Sequence, residues 1–276
     1  MRQVLAQKYF FLIVSWVVTL IPQAVSANGV TEHNGLHTKP AIAVIVDDLG
    51  YDLKRGYRVL QIPGAVTISI LPFTPHAQEI AEQAAIVGKE VLLHQPLESE
   101  NDRHEAKGTL KLSMPTSELE NRFRDSIESL PGIVGVNNHT GSLFTQNAEL
   151  MRVLMTIMNR HSLFFVDSRT TASSVAVDVA RSIGIPVAQR DVFLDHRIDN
   201  NAFENAYRRA WAIAKKRGQA ILVAHPHEKS IRFLSRNLQT LAPHELVPVS
   251  QLVNSDRPVE VVQLENPKFV HKEPNL

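Results

Sequence analysis

The chain has 276 residues, 44% of them hydrophobic, with a net charge of +1 and no cysteine. That is enough apolar material for one large core, and so balanced a charge exerts no general pull on nucleic acid or acidic lipid. The lack of cysteine excludes disulfides, thiolate zinc sites and cysteine nucleophiles.

The first segment reads as an export signal. Arg2 and Lys8 precede an apolar run at 9–21, and Pro22 and small residues at 24–27 follow it. The run is shorter than the roughly 20 residues of a membrane span. The pattern therefore predicts a signal peptide over 1–27, cleaved after Ala27, with a retained membrane anchor as the alternative; either way the domain is expected outside the cytoplasm. The mature chain is expected to be periplasmic or secreted, with no membrane span. Residues 28–40 read as a polar linker. Residues 254–276, with Pro258, Pro267 and Pro274 among many charges, read as a disordered tail.

Between these lies one domain, 41–253, in which strand-like and helix-like segments alternate. The first strand is expected over 41–46 and the second over 65–71, stopped by Pro72. Thr74 is the expected N-cap of a helix over 76–86. A short strand at 90–93 runs into His94, and the polar stretch 95–114 reads as a loop over a site. Ser117 and Glu120 have capping-box spacing ahead of a helix that ends near Leu130. A fourth strand at 133–136 leads into Asn137, Asn138 and His139. The 149–159 segment has helical period. A fifth strand at 163–166 ends at Asp167, and a helix over 175–183 is closed by Gly184. A weak sixth strand begins at 187–188. Asp199 is the expected cap of a helix reaching Arg217 and stopped by Gly218. A seventh strand at 219–224 ends at His225. A helix around 230–241 and an apolar stretch at 246–252 complete the domain.

This alternation predicts a parallel sheet, closed as a barrel or doubly wound. Asp47, Asp48, His94, His139, Asp167, Asp191 and His225 each follow a strand. In a parallel barrel all those ends meet at one face, where active sites are built. Two adjacent acids at the mouth of a core strand repel each other and lose water, a conflict that a divalent cation resolves. One aspartate and two histidines give the three ligands of a catalytic zinc site. A second carboxylate can then act as base, and a further histidine can protonate a leaving group. Such a site hydrolyses an amide or ester. His225 is the better placed of the pair His225 and His227. Glu98, four residues after His94, is in reach to add a ligand or a hydrogen bond. Asp167 is expected to orient other groups. Arg169, Arg190 and Arg197 keep a phosphoester hydrolase as a minor alternative.

Five stretches carry a resemblance: VDDLG at 46–50, LLHQPLE at 92–98, NNHTGS at 137–142, FFVDSRT at 164–170 and AHPH at 224–227. As an ordered set they resemble the divergent polysaccharide deacetylase family, a branch of the NodB-type carbohydrate esterases. The resemblance implies an α/β fold, an irregular seven-stranded (β/α) barrel. It implies Asp47 as general base, Asp48 and His94 as metal ligands, and His225 as the acid for the leaving group. The family's second motif histidine is replaced by Glu98, and its Arg-Pro motif is missing, so His139 is expected to supply the lost ligand. Glu98, Asn138, Asp167, Arg169 and His227 are then expected to surround the site or touch substrate. The implied cofactor is a divalent metal, zinc by its donor set, and the implied substrate is an N-acetylated glycan such as peptidoglycan. The rival reading is an inactive glycan-binding or scaffold protein of the cell envelope.

Overall fold

Among the described residues, short runs of β-branched and aliphatic residues form eight strands. They are β1 (Ala41–Leu49), β2 (Thr67–Ile70), β3 (Val91–Leu97), β4 (Ile133–Thr140), β5 (Phe164–Asp167), β6 (Val187–Gln189), β7 (Val192–Phe193) and β8 (Gln219–Ala224). The computed structural model describes residues 39–101 and 105–253, so the expected signal, most of the linker and the tail lie outside the described residues. Among the described residues no helix is long and apolar enough to cross a membrane.

All strands pair in parallel, in the order β6-β5-β4-β3-β2-β1-β8-β7. The order is cyclic, with none of the reversal that marks a doubly wound sheet. The two edges, β6 and β7, are separated by only Arg190 and Asp191. The Arg190 N–H donates to Asp167 O beside β6, and the Asp191 N–H donates to Ile221 O of β8. Two consecutive residues thus span the seam of the curled sheet.

Helices α1 (Leu53–Leu60), α2 (Ala77–Ile86), α3 (Thr116–Glu128), α4 (Ala148–Arg160), α5 (Ala176–Ile183), α6 (Asn200–Arg217) and α7 (Glu228–Leu238) pack outside. Alternation along each strand divides the core in two. Ala41, Ala43, Ile45, Leu92, Phe164, Val166, Ile221 and Val223 fill the interior with Val247, Val249 and Leu252. Their neighbours Ile42, Val44, Val46, Leu93, Phe165, Ala220 and Leu222 pack under the helices. The apolar stretch at 246–252 plugs the bottom of the barrel. Val247 N donates to Ile42 O and Val249 N to Thr67 Oγ1, and Ser250 bonds Glu90.

The structure corrects the expected elements in several places. Among the described residues there are eight strands where seven were expected, because the segment after β6 forms a further two-residue strand on the opposite edge. β3 and β4 run four residues further than expected, their ladder continuing through His94↔Asn137, Pro96↔His139 and Leu97↔Thr140. Polar side chains do not interrupt a ladder whose backbone bonds continue. Helix α1 was not anticipated. Asp52 caps it by accepting from Arg55 N, and Gly56 lets it approach α2, since a Cβ there would lie 2.5 Å from Ile80 Cδ1. The expected caps on α2 and α3 are absent: Thr74 Oγ1 instead donates to Leu71 O, and the residues at the cap positions are His76 and Pro115. Asp199 and Gly218 do bound α6. Among the described residues of the loop after β3, Leu110 is anchored away from the mouth. Leu110 N donates to Pro96 O, and the Leu110 side chain joins the helix-side core.

Candidate active site

The interior face of the sheet turns from apolar to polar at its C-terminal end. Continuing the alternation by one step takes Ile45 to Asp47, Leu92 to His94, Phe193 to Asp195 and Val223 to His225. On β4, Gly135 makes room for the Phe164 ring, and the following inward positions are Asn137 and His139. One face of five strands therefore collects the ionisable groups at one mouth. Asp48 would face outward by this count. It reaches the mouth because the ladder shifts register between Val46 and Leu49 and its backbone is left-handed, with φ +58°. That conformation costs a non-glycine residue about 1–2 kcal/mol. Thr140, Phe73 and Arg169, just past or at other strand ends, share it, so backbone strain gathers at this rim as it does at functional sites. Gly50 completes the turn: its φ is +122°, and a Cβ would lie 1.9 Å from Thr74 Oγ1.

Three donor atoms converge at the mouth. Asp48 Oδ1 lies 3.1 Å from His94 Nε2 and 2.9 Å from His139 Nδ1, and the two nitrogens are 3.2 Å apart. Despite these contacts Asp48 Oδ1 is buried without a hydrogen-bond partner. A buried carboxylate oxygen left unmatched is costly, and three electron-pair donors crowded together favour a shared cation. Ligand bonds of 2.0–2.1 Å in a tetrahedral site put donor atoms roughly 3.3 Å apart, close to the observed triangle. The residues present thus fit a divalent metal with nitrogen and oxygen ligands. Burial by itself pushes the Asp48 carboxyl up, but the adjoining imidazoles of His139 and His94 outweigh it and hold the group ionised far below the usual carboxylate range. Burial opposes a charged His94, yet Asp47 and Asp48 raise it on balance.

Asp47 is buried beside this triangle. Its Oδ1 accepts from Asn137 Nδ2 at 2.8 Å and lies 3.9 Å from His94 Nδ1. On the other side His225 presents Nε2 4.0 Å from Asp48 Oδ2. The rest of the His225 ring is held by Asp195, a buried residue that sequence reasoning passed over. Asp195 Oδ1 meets His225 Nδ1 at 2.8 Å, and Oδ2 accepts from His225 N and Ser230 Oγ, both at 2.7 Å. Asp195, His225 and His227 also lie close enough to suggest a second ligand set. Asp195 already accepts three hydrogen bonds, two of them from His225, so its geometry is that of a carboxylate orienting an imidazole. The signal available in the sequence was the inward alternation Phe193, Asp195 after a strand too short to notice.

Burial works against a charged His225, but the hydrogen bond and charge of Asp195, aided by Asp48 and Asp47, push it up to about 9. In metal-free protein the His225 ring is therefore expected to titrate near 9, and in Asp195→Asn to titrate at lower pH, as read by NMR. A folded-state value above the unfolded one means a stabilisation fully present below about 6.5 and lost as pH rises through about 9. Metal-free protein should accordingly lose thermal stability across that window, and the Asp195→Asn variant should lose less.

Other expected site residues lie elsewhere. Asp191 does not reach the mouth: it lies level with Ile221, where Arg217 Nη1 and Ile221 N donate to its carboxylate. Asp167 faces the helix side, where its carboxylate accepts from Arg169 N and Ser174 Oγ and shapes the turn after β5. Glu98 is no ligand. Its Oε2 accepts from Leu112 N and ties down the loop after β3. Asn138 supports the rim through Ser168 N and Thr140 O. Arg169 contributes its carbonyl, which accepts from Arg190 Nη2. Arg190 also donates to Ser168 O and stacks on Phe193, 3.7 Å from the ring centroid; burial lowers it to about 10, so it stays cationic at neutral pH. His227 lies beside His225, with ring centroids 6.1 Å apart. A cleft of about 200 Å³ opens here, bounded by Asp48, Tyr51, Asp52, Arg55, His225 and His227.

A family model described as divergent polysaccharide deacetylase matches residues 44–253. The chain belongs to this family. It is 35% identical to the uncharacterized protein YibQ of Escherichia coli strain K12, over 77% of this chain and 67% of that protein. It is 32% identical to an uncharacterized protein of Haemophilus influenzae strain KW20 Rd, over 72% and 71% of the two chains. Among solved structures it resembles the uncharacterized protein ATU2773 from Agrobacterium tumefaciens C58, with TM-score 0.74 and 25% identity over 78% of this chain and 89% of that one. The strand-end acids and histidines described above all fall within the matched span.

Proposed function

We propose that the chain is an exported metal-dependent hydrolase that removes acetyl groups from an N-acetylated cell-wall glycan. The observation that carries this reading is the triangle of Asp48 Oδ1, His94 Nε2 and His139 Nδ1, closed by an oxygen with no hydrogen-bond partner and faced by His225. A divalent ion such as zinc held by these three residues would supply Lewis acidity toward an amide carbonyl and acidify water. Asp47, buried next to His94, takes the proton released as water attacks the acetyl carbon. His225 gives the Nε2 proton to the departing amine nitrogen. Asp195 makes this possible by accepting the Nδ1 hydrogen and turning Nε2 toward the cleft. Tyr51, 58% exposed on the lip of the cleft, offers an aromatic face on which a sugar ring can stack. The family supports a glycan substrate, and the 1–27 segment supports export to the periplasm or beyond.

The test is acetate release. Zinc-loaded mature protein should liberate acetate from N-acetylated peptidoglycan or chitin oligomers, chelator-stripped protein should not, and added zinc should restore the rate. Protein that holds zinc and binds these glycans without releasing acetate would instead be the inactive binding protein of the rival reading.

A further inference from the structure

Asn137 occupies the centre of the site yet carries no charge and is entirely buried. Its side chain, at the inward position of β4, contacts four other strands or strand ends. Nδ2 donates to Asp47 Oδ1 at 2.8 Å on β1 and lies 3.5 Å from Ser168 Oγ after β5. Oδ1 accepts from Ser69 Oγ at 2.5 Å on β2 and meets His94 Nδ1 at 2.8 Å on β3.

These contacts settle which way the amide points. An ionised carboxylate only accepts hydrogen bonds, so the face toward Asp47 must be the NH₂ group, and Oδ1 must face His94. An amide oxygen in turn only accepts, so His94 Nδ1 must carry a hydrogen. In the neutral ring, the form that can ligate a metal, the lone pair of His94 is thereby assigned to Nε2, the atom that belongs to the triangle with Asp48 and His139.

We infer that Asn137 is a dual positioning residue, fixing the metal-binding tautomer of His94 with its oxygen and the carboxylate of Asp47 with its nitrogen. This rests on the metal-dependent reading above. One amide thus couples the ligand set to the proton acceptor, so that neither can turn without the other. Carboxylates and carbonyls that orient ligating histidines are worth about 10–100-fold in metal affinity or activity.

Two variants separate the two arms. Asn137→Ala removes both and should weaken zinc binding about 10–100-fold. At saturating zinc its kcat should fall while KM changes little. Asn137→Asp keeps an acceptor against His94 Nδ1 but sets a second carboxylate against Asp47. Its zinc affinity should stay close to wild type while kcat falls. In zinc-loaded wild type the His94 Nδ1 hydrogen should be a protected resonance in proton–nitrogen NMR spectra, retained in Asn137→Asp and lost in Asn137→Ala. If Asn137→Ala fails to fold, the Asn137→Asp split between zinc affinity and kcat carries the test. The inference is overturned if zinc-loaded wild type shows a hydrogen on His94 Nε2, or if Asn137→Asp loses zinc and kcat together. Wild type that binds no zinc overturns this inference and the proposed function alike. Wild type that binds zinc and releases acetate, while the variants match it, overturns this inference alone.

Discussion

Asp48→Asn is expected to abolish zinc binding while the barrel stays folded. Asparagine tolerates the left-handed backbone that Asp48 adopts at φ +58°, so the substitution removes charge and ligand strength with little added strain. Losing one of three ligands should exceed the 10–100-fold typical of a residue that merely orients a ligand. The expected loss in affinity is therefore at least about a hundredfold, with acetate release at background. Competition for zinc against a chromophoric chelator reads the first, and a coupled acetate assay the second. In the metal-free state the same variant removes a negative charge beside His225 as well as the anion between His94 and His139. The His94 and His225 rings should consequently titrate at lower pH than in wild type. An Asp48→Asn protein that keeps wild-type zinc affinity would remove Asp48 from the ligand set.

His225→Ala has the second large effect, and it falls on a different quantity. The ring lies outside the triangle, with Nε2 4.0 Å from Asp48 Oδ2, so zinc affinity should hold. What disappears is the proton for the leaving amine, a contribution of about 10²–10⁴ in rate for a positioned acid. The kcat of zinc-saturated enzyme should fall by that factor. Asp195→Asn should fall less far, because the imidazole remains but can turn the wrong ring nitrogen toward the cleft. A His225→Ala enzyme with unchanged kcat would assign the proton to another residue, and His227, the neighbouring ring, is the first to examine.

The parts of this site legible in the sequence were those with a charge at a strand end. Asp47, Asp48, His94, His139 and His225 sit about 180 residues apart at the extremes, yet each follows an apolar run, and a parallel barrel turns that regularity into proximity. What the strand-end rule lacks is direction. Asp167 obeys it as well as Asp47 does, but it sits one step out of phase with the interior residue Val166 and points elsewhere. Asp191 obeys it too, but it lies lower on the sheet, level with Ile221, where Arg217 and the Ile221 N–H hold it. Counting alternation from Val166 would have separated Asp167. Asp195 was hidden for the opposite reason: β7 has only two residues, too few for a pattern. Asn137 gave no signal because an uncharged amide in a polar stretch looks like any turn residue until its four partners are in place. The missed helix α1 is amphipathic, with Val59 and Leu60 on its buried face, but it is only eight residues long with a glycine inside it, too short for that period to stand out. Its place is set by the Asp52 cap and by packing against α2.

The measurement that bears most directly on the account is anomalous diffraction from crystals of the mature protein grown with zinc. The account predicts one strong peak at the C-terminal mouth of the barrel, bonded to Asp48 Oδ1, His94 Nε2 and His139 Nδ1, with His225 beside it and not coordinated. A peak bonded to Asp195, His225 and His227, or none at the mouth in crystals that hold zinc elsewhere, would contradict it.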